Sequence, residues 1–241
     1  MEKRNLGLVQ EIRSCREDEP IYPKDLKTLK DYPRILYYKG NIEILNQQKS
    51  IAVIGSRKIS ESGGKLSYTA GTIVGKKGFN LVNGLALGCD TEALKGALAV
   101  GGKCVVILPC GINEIYPKSN EKLADKILSQ GGCLISEYPE GTRPDKFRFV
   151  QRDRLQSGIA QGILVVEAME KSGTMHTVEY ARRQKRRLAC YYHGLLKYST
   201  GNSKLEDLYK ANIIKTNDDL EHYLETLSEE DQYTQLKFDF V

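Results

Sequence analysis

The sequence predicts an α/β fold, a doubly wound, mostly parallel sheet with helices on both faces. Three observations predict it. Six short apolar or β-branched runs recur between Ile51 and Tyr192, helix-like stretches separate successive runs, and each run ends in a glycine or polar break. Strands buried on both faces read as continuous apolar runs, and strand–helix alternation is the pattern of a parallel sheet.

The expected strands are IAVI (51–54), FNLV (79–82), KCVVIL (103–108), CLIS (133–136), GILVV (162–166) and RLACYY (187–192). Helices are expected near 62–77, 86–100, 119–130, 151–160 and 174–185. Such sheets bind ligands beyond the carboxyl ends of their strands, so function is sought in loops starting near Gly55, Asn83, Pro109, Glu137 and Glu167. Residues 1–30 are polar and charged, and Leu6, Leu8, Val9 and Ile12 suggest at most one short helix. After Tyr192 the chain reads as a loop to Lys204, then as a mixed region with Leu208, Ile213, Ile214 and Leu220, and from Ser228 as a polar tail. The expected organisation is an N-terminal extension (1–30), one domain (31–225) and a C-terminal tail (226–241).

Composition agrees. A chain of 241 residues fits one large domain with appendages, and 40% hydrophobic against 28% charged residues is too apolar for general disorder. Lysine and arginine number 36 against 31 acids, a net charge of +5 that informs only where it clusters. The six cysteines stand singly with no C-x-x-C pair, so they read as small buried hydrophobes, with no zinc site, other metal, cofactor or disulfide framework expected. There is no apolar run of about 18 residues and no signal-like start, so the expectation is a cytoplasmic protein with no membrane partner.

The first loop, Gly55-Ser56-Arg57, follows a strand and precedes a helix. Glycine lets backbone N–H groups approach an anion, Ser56 or Ser60 can cap the helix, and the helix N-terminus favours phosphate. The dinucleotide fingerprint G-x-G-x-x-G is missing, since Gly55, Arg57 and Ser60 occupy its three glycine positions. An arginine there suits a phosphodiester better than a buried pyrophosphate; the alternative is a solvated surface charge. In the second loop, Asn83 to Asp90, two glycines allow close backbone approach and Asp90 is expected to cap the next helix. The third, Pro109 to Pro117, reads mainly as architecture.

The fourth stretch interleaves Arg143, Lys146, Arg148, Arg152 and Arg154 with Phe147 and Phe149. Cations with rings among them match what single-stranded nucleic acid requires, phosphate partners and faces for base stacking. Glu140, Asp145 and Asp153 intrude, and a solvated helix start reads the same way. The fifth loop carries Ser172-Gly173-Thr174, which can cap a helix whose amides offer another anion site. His176 and Glu179 follow three residues apart, the spacing of an ordinary surface contact. With no nucleophile–base–orienter set, no catalytic residue is expected and the protein reads as a non-enzyme.

Taken in order, these signals resemble the DprA/Smf family of DNA-processing proteins. The resemblance runs through Tyr32-Pro33, Lys39-Gly40-Asn41, Ala52 to Arg57, Asn83-Gly84-Leu85-Ala86-x-Gly88-x-Asp90, Gly111-x-x-x-x-Tyr116-Pro117, Ile135 to Pro139, Phe149-x-x-Arg152-Asp153-Arg154 and Val165 to Thr174. It implies an extended Rossmann-like fold that binds single-stranded DNA, protects it and loads RecA recombinase onto it in transformation or recombination. It also implies a homodimer formed late in the fold, around Leu205, Leu208, Ile213 and Ile214. By motif position the DNA contacts fall on Arg57 with Gly55, Ser56 and Ser60, on Phe149, Arg152 and Arg154 with Lys146 and Arg148, and on Ser172, Gly173 and Thr174.

The chain departs from the family at Leu94 (usually histidine), Val150 (proline), His193 (proline before glycine) and Asp153 (asparagine). A carboxylate at Asp153 is expected to pair with the flanking arginines and to reduce their availability to phosphate. The alternative function is a nucleotide sensor or nucleotide-processing enzyme akin to the phosphoribohydrolases. The segment Glu170 to Thr177 lacks their proline-diglycine and their glutamate three residues after the threonine. Finally, Gln235, Leu236, Phe238 and Phe240 resemble short peptides that dock into a sliding clamp through a glutamine and apolar anchors.

Overall fold

A computed structural model describes residues 11–238, with side chains described through residue 228. Among the described residues nine strands form one sheet in the order β1-β2-β6-β5-β4-β3-β7-β8-β9. The six expected strands are β3 (Ser50–Ile54), β4 (Asn80–Asn83), β5 (Cys104–Ile107), β6 (Cys133–Ser136), β7 (Gly162–Val165) and β8 (Arg187–Tyr191). They pair in parallel, extended by a parallel edge strand β9 (Asn212–Ile214). At the other edge β1 (Arg13–Arg16) and β2 (Ile35–Gly40) are antiparallel.

Alternation within each strand explains the apolar runs. Ile51 and Val53 of β3 join the core on one face, and Ala52 and Ile54 join the core on the other. Both faces are covered, so every position excludes water. On one face lie α2 (Glu61–Lys76), α3 (Cys89–Ala99), α4 (Glu121–Ser129) and the first part of α8 (Asn217–Phe238). On the other lie α5 (Lys146–Ile159), α6 (Thr174–Arg183) and α7 (Thr200–Asp207); a one-turn helix, α1 (Ile44–Gln47), precedes β3.

Several expectations change. Strands β1 and β2 lack the long apolar run of a buried strand, because each sits at or near an edge and exposes alternate residues. Residues 13–30 are part of the sheet and core: Cys15, Tyr22, Leu26 and Leu29 pack with Leu155 and Ile159 of α5. A Cβ on Gly158 would stand 2.6 Å from Leu29 Cδ1, so α5 and this segment are in close contact. Of Leu6, Leu8, Val9 and Ile12, only Ile12 is described, and it is not helical. The region expected to loop to Lys204 contains most of α7, and the backbone of the expected tail continues α8 to Phe238. The clamp-like Gln235, Leu236, Phe238 and Phe240 lie outside the described side chains. All six cysteines are buried and free.

The expected dimer residues divide. Leu205 and Ile214 are within 1% of full burial in the chain's own cores, so they offer no surface to a partner. Leu208 is 67% exposed and Ile213 half-buried on the edge strand.

From β3 the chain winds outward through β4, β5 and β6, then returns to β7 on the opposite side of β3. The β3/β7 boundary, where Ile54 pairs with Val165, is therefore the topological switch point. Loops leaving these two strands in opposite directions open a crevice at their carboxyl ends.

Candidate nucleic-acid interface

The crevice holds a cavity of about 440 Å³. Gly55, Ser56, Arg57 and Lys58 after β3, Ser172, Gly173 and Thr174 after β7, and Phe149 and Arg152 of α5 line it. Eight of the residues expected at the site thus converge on one space, and Lys146, Arg148, Arg154 and Ser60 do not line it.

The turn after β3 is built by backbone bonds: the Ser56 amide donates to the Glu167 carbonyl at 2.7 Å, and the Ser56 carbonyl accepts from the Cys89 amide at 3.1 Å. Ser56 Oγ donates to the Lys58 carbonyl, so the hydroxyl serves the turn. Arg57 projects to the surface, where its guanidinium carbon lies 5.1 Å from the Phe149 ring centroid. Tyr116 meets the same ring edge-on, 5.3 Å away. A cation on an aromatic face, with a second ring beside it, is a surface for phosphate and base together.

The amino end of α2 is not open to phosphate. Ser60 caps it by accepting from the Gly63 amide at 3.0 Å. The fully buried Glu167 carboxylate then takes the Ser60 amide and hydroxyl, both at 2.8 Å, and the amides of Lys197 and Tyr198. A Cβ on Gly63 would overlap Glu167 Oε2, which explains the glycine in this turn. An internal carboxylate occupies the anion site, and Ser60 has its role there rather than at a ligand.

Helix α5 starts five residues earlier than expected because Asp145 caps it, accepting from the Arg148 amide at 2.9 Å. Its cations have separate fates. Arg152 is 5% exposed; its Nη1 donates to the Ile107 carbonyl at 3.2 Å, and a Cβ on Gly84 would overlap the guanidinium. Its Nε stands 3.3 Å from Asp153 Oδ1, not aligned as a hydrogen bond, and has no other partner among the described residues. Arg154 is directed elsewhere, buried between Glu137 at 2.6 Å and Asp31 at 3.0 Å. It fastens the β1–β2 segment to α5 and is unavailable to a ligand. Arg148 pairs with Asp145, donates to the Arg143 carbonyl and packs over Tyr138. Lys146 and Phe147 are exposed, Phe147 at 69%.

Asp153 pairs with Arg152 alone of the two flanking arginines. Burial pushes its carboxyl above the ordinary range, against the pull of Arg152, His176, Thr177 and Arg57. Asp90 does not cap α3: its Oδ2 accepts from the Gly84 amide at 3.0 Å and the Ala86 amide at 3.2 Å, tying the loop in place, and burial raises its pKa to about 6 against the nearby Arg152. At the start of α6 the hydroxyl of Ser172 is buried without a hydrogen-bond partner among the described residues. His176 lines the cavity and does not pair with Glu179, which instead binds Tyr209 and Arg182.

Sequence reasoning missed Gln156, Thr177 and Tyr116. Gln156 and Thr177 line the cavity one helical turn from Arg152 and Thr174 respectively, a spacing that could have flagged them. Tyr116, read as architecture, borders a smaller cleft of about 60 Å³ with Leu87, Pro117 and Phe149, beside Arg57.

Residues 14–225 match the family profile described as DNA recombination-mediator protein A. The chain is 39% identical over 166 residues to the DNA processing protein DprA of Streptococcus pneumoniae, covering 68% of this chain and 57% of that one. It spans about half the length of the curated relatives it matches. Two solved structures superpose with a TM-score of 0.80. One is the Helicobacter pylori DNA processing protein A, described by its single-stranded DNA binding mode, at 27% identity over 92% of this chain and 98% of that one. The other is the Streptococcus pneumoniae DprA, at 32% identity over 88% and 74%.

Proposed function

Because this chain belongs to the DprA/Smf family of DNA recombination-mediator proteins, we propose that it binds single-stranded DNA at the mouth of the switch-point cavity. In this reading it protects the strand and passes it to RecA recombinase in transformation or recombination, acting in the cytoplasm as a homodimer and without chemical turnover. The observation that carries the reading is the Arg57–Phe149 stack at the rim of the cavity. Arg57 supplies charge for a phosphate, and Phe149 with Tyr116 supplies ring surface for a base. The similarity to the Helicobacter pylori protein supports the same ligand class.

Backbone recognition releases counterions, so binding should weaken steeply with salt and favour single over double strands. Fluorescence anisotropy with single- and double-stranded oligomers across a salt series tests this. Salt-sensitive binding that prefers single strands is expected; equal binding to duplex, or none, rejects the reading. Co-sedimentation with RecA on the same oligomers tests the transfer step, and sedimentation equilibrium tests the dimer, with Leu208→Glu expected to give monomers.

A further inference from the structure

At the amino ends of the strands, opposite the crevice, a second cationic surface forms. The end of α6 and the turn into β8 read RRQKRR (182–187). Arg182 pairs with Glu179 and packs over Tyr209, and Arg187 donates to the Thr226 carbonyl. Arg183 and Lys185 are exposed, and neither forms an ion pair among the described residues. Arg186 is half-buried: its Nη2 donates to the Gly158 carbonyl at 2.6 Å and to the Thr28 hydroxyl at 3.1 Å, and its Nε has no hydrogen-bond partner among the described residues. Its charge rests on neutral groups, and burial holds the guanidinium below its ordinary pKa, with Asp25 opposing. The contact with Thr28 brings in Lys27 and Lys30, exposed cations that likewise form no ion pair among the described residues. Asp25 accepts from Gln161 at 2.8 Å. Elsewhere on the molecule exposed lysines have acids beside them, as Lys65 has Glu61 and Lys118 has Glu121.

Lys185 shows that charge at this place carries a conformational cost. Helices α2, α3 and α4 end in a left-handed glycine, at Gly78, Gly101 and Gly131. Helix α6 closes with the same pair of bonds, the Lys185 amide donating to the Arg182 carbonyl and the Arg186 amide to the Ala181 carbonyl, but its left-handed residue is Lys185, with φ 57°. Glycine is the residue suited to that position, and strain kept in a fold points to a use for the side chain that imposes it.

Cations without carboxylates call for a polyanion. Among the described residues no exposed large apolar or aromatic side chain lies within 24–30 or 180–187. The surface thus offers neither an anchor for a protein partner nor a platform for an unpaired base. Duplex DNA needs neither, since its bases stack inside and its charges follow at about one per 1.7 Å of axis. We propose that this surface binds the phosphate backbone of duplex DNA. The ten residues of α6 separate it from the crevice by roughly 15 Å, so one molecule can hold an unpaired strand beside a duplex. Without ring contacts the duplex binds more weakly than a single strand and its sequence is not read.

The test is anisotropy titration of a labelled duplex with the full chain at low salt, alone and with a saturating, short, unlabelled all-thymine oligomer. The duplex should stay bound when the oligomer is present, and Arg57→Ala should leave its affinity unchanged. Lys185→Gly combined with Arg183→Gln should weaken duplex binding at least about tenfold and lower its salt slope by about two, with short-oligomer binding unaltered. Lys185→Gly alone should not lower the urea midpoint, because glycine suits the left-handed position, so its loss of duplex affinity cannot come from misfolding. Displacement of the duplex by the oligomer, equal duplex binding by the natural and doubly substituted chains, or no duplex binding at low salt would each overturn the inference. Duplex binding retained without single-strand binding would instead remove the single-strand reading and leave this one standing.

Discussion

Arg57 lies 5.1 Å from the centroid of Phe149, so the loop after β3 and the first turn of α5 meet through a guanidinium stacked on a ring. Neither segment predicts the other in sequence, since 92 positions separate them (149 − 57). The sheet brings them together because β3 and the element before α5 end on the same side. The stack holds a flexible cation in place without neutralising it, which keeps its charge available to phosphate.

Arg57→Ala should therefore weaken single-strand binding and lower the slope of log affinity against log salt by about one, because one phosphate contact is lost. Phe149→Ala should cost about 1–3 kcal/mol of binding and leave the salt slope nearly unchanged, since stacking releases no counterions. Anisotropy titrations at several salt concentrations separate the two effects. Identical slopes for Arg57→Ala and the natural chain would remove Arg57 from the interface.

Arg154 should behave in the opposite way. Its buried guanidinium pairs with Glu137 and Asp31, and truncation leaves the largely buried Glu137 carboxylate without its cation. Arg154→Ala is expected to lose about 3–5 kcal/mol of stability in urea unfolding. The fraction that remains folded should bind DNA with unaltered affinity. A stable variant with weakened binding would return Arg154 to the site.

The contrast between Arg152 and Arg154 shows where sequence reasoning stops. The central strands were legible because burial on both faces leaves a continuous apolar run, and their alternation with helices predicted the doubly wound sheet; the β3/β7 switch point came only from the strand order. Strands β1, β2 and β9 were not, since edge strands carry mixed residues whose pairing is set by distant partners. Within the site, the loops and the Arg57 turn were legible from glycine and position. Which side of α5 each cation faces was not, because residues 152 and 154 point about 200° apart around a helix, and only the neighbours decide which side meets solvent. Ser60 illustrates the same limit: the cap was readable, but Glu167, a carboxylate 107 positions away that fills the adjacent anion site, was not.

Glu167 should consequently be a structural residue of high cost. It accepts four hydrogen bonds, from the amide and hydroxyl of Ser60 and from the amides of Lys197 and Tyr198. Glu167→Gln turns an N–H group towards those donors, and a loss of at least about 2 kcal/mol is expected. The measurement is the urea midpoint at pH 7. An unchanged midpoint would mean that solvent, not Glu167, satisfies the amino end of α2.

Asp90 gives the pH dependence a definite sign. Burial raises its pKa from an ordinary 3.8 to about 6, with Arg152 and the Gly84 and Ala86 amides opposing the rise. Between those values the folded chain keeps a proton that the unfolded chain has released, so this residue's contribution to stability falls as pH rises and levels off above about 6. Asp153, also raised by burial, acts in the same direction. Asp90→Asn retains an oxygen to accept the two loop amides and removes the titration. The natural chain should therefore lose more stability than Asp90→Asn between pH 4 and pH 6.5, by up to about 3 kcal/mol, in urea unfolding at matched ionic strength. Parallel pH profiles for the two chains would show that the Asp90 carboxyl is no harder to ionise in the fold than in the unfolded chain.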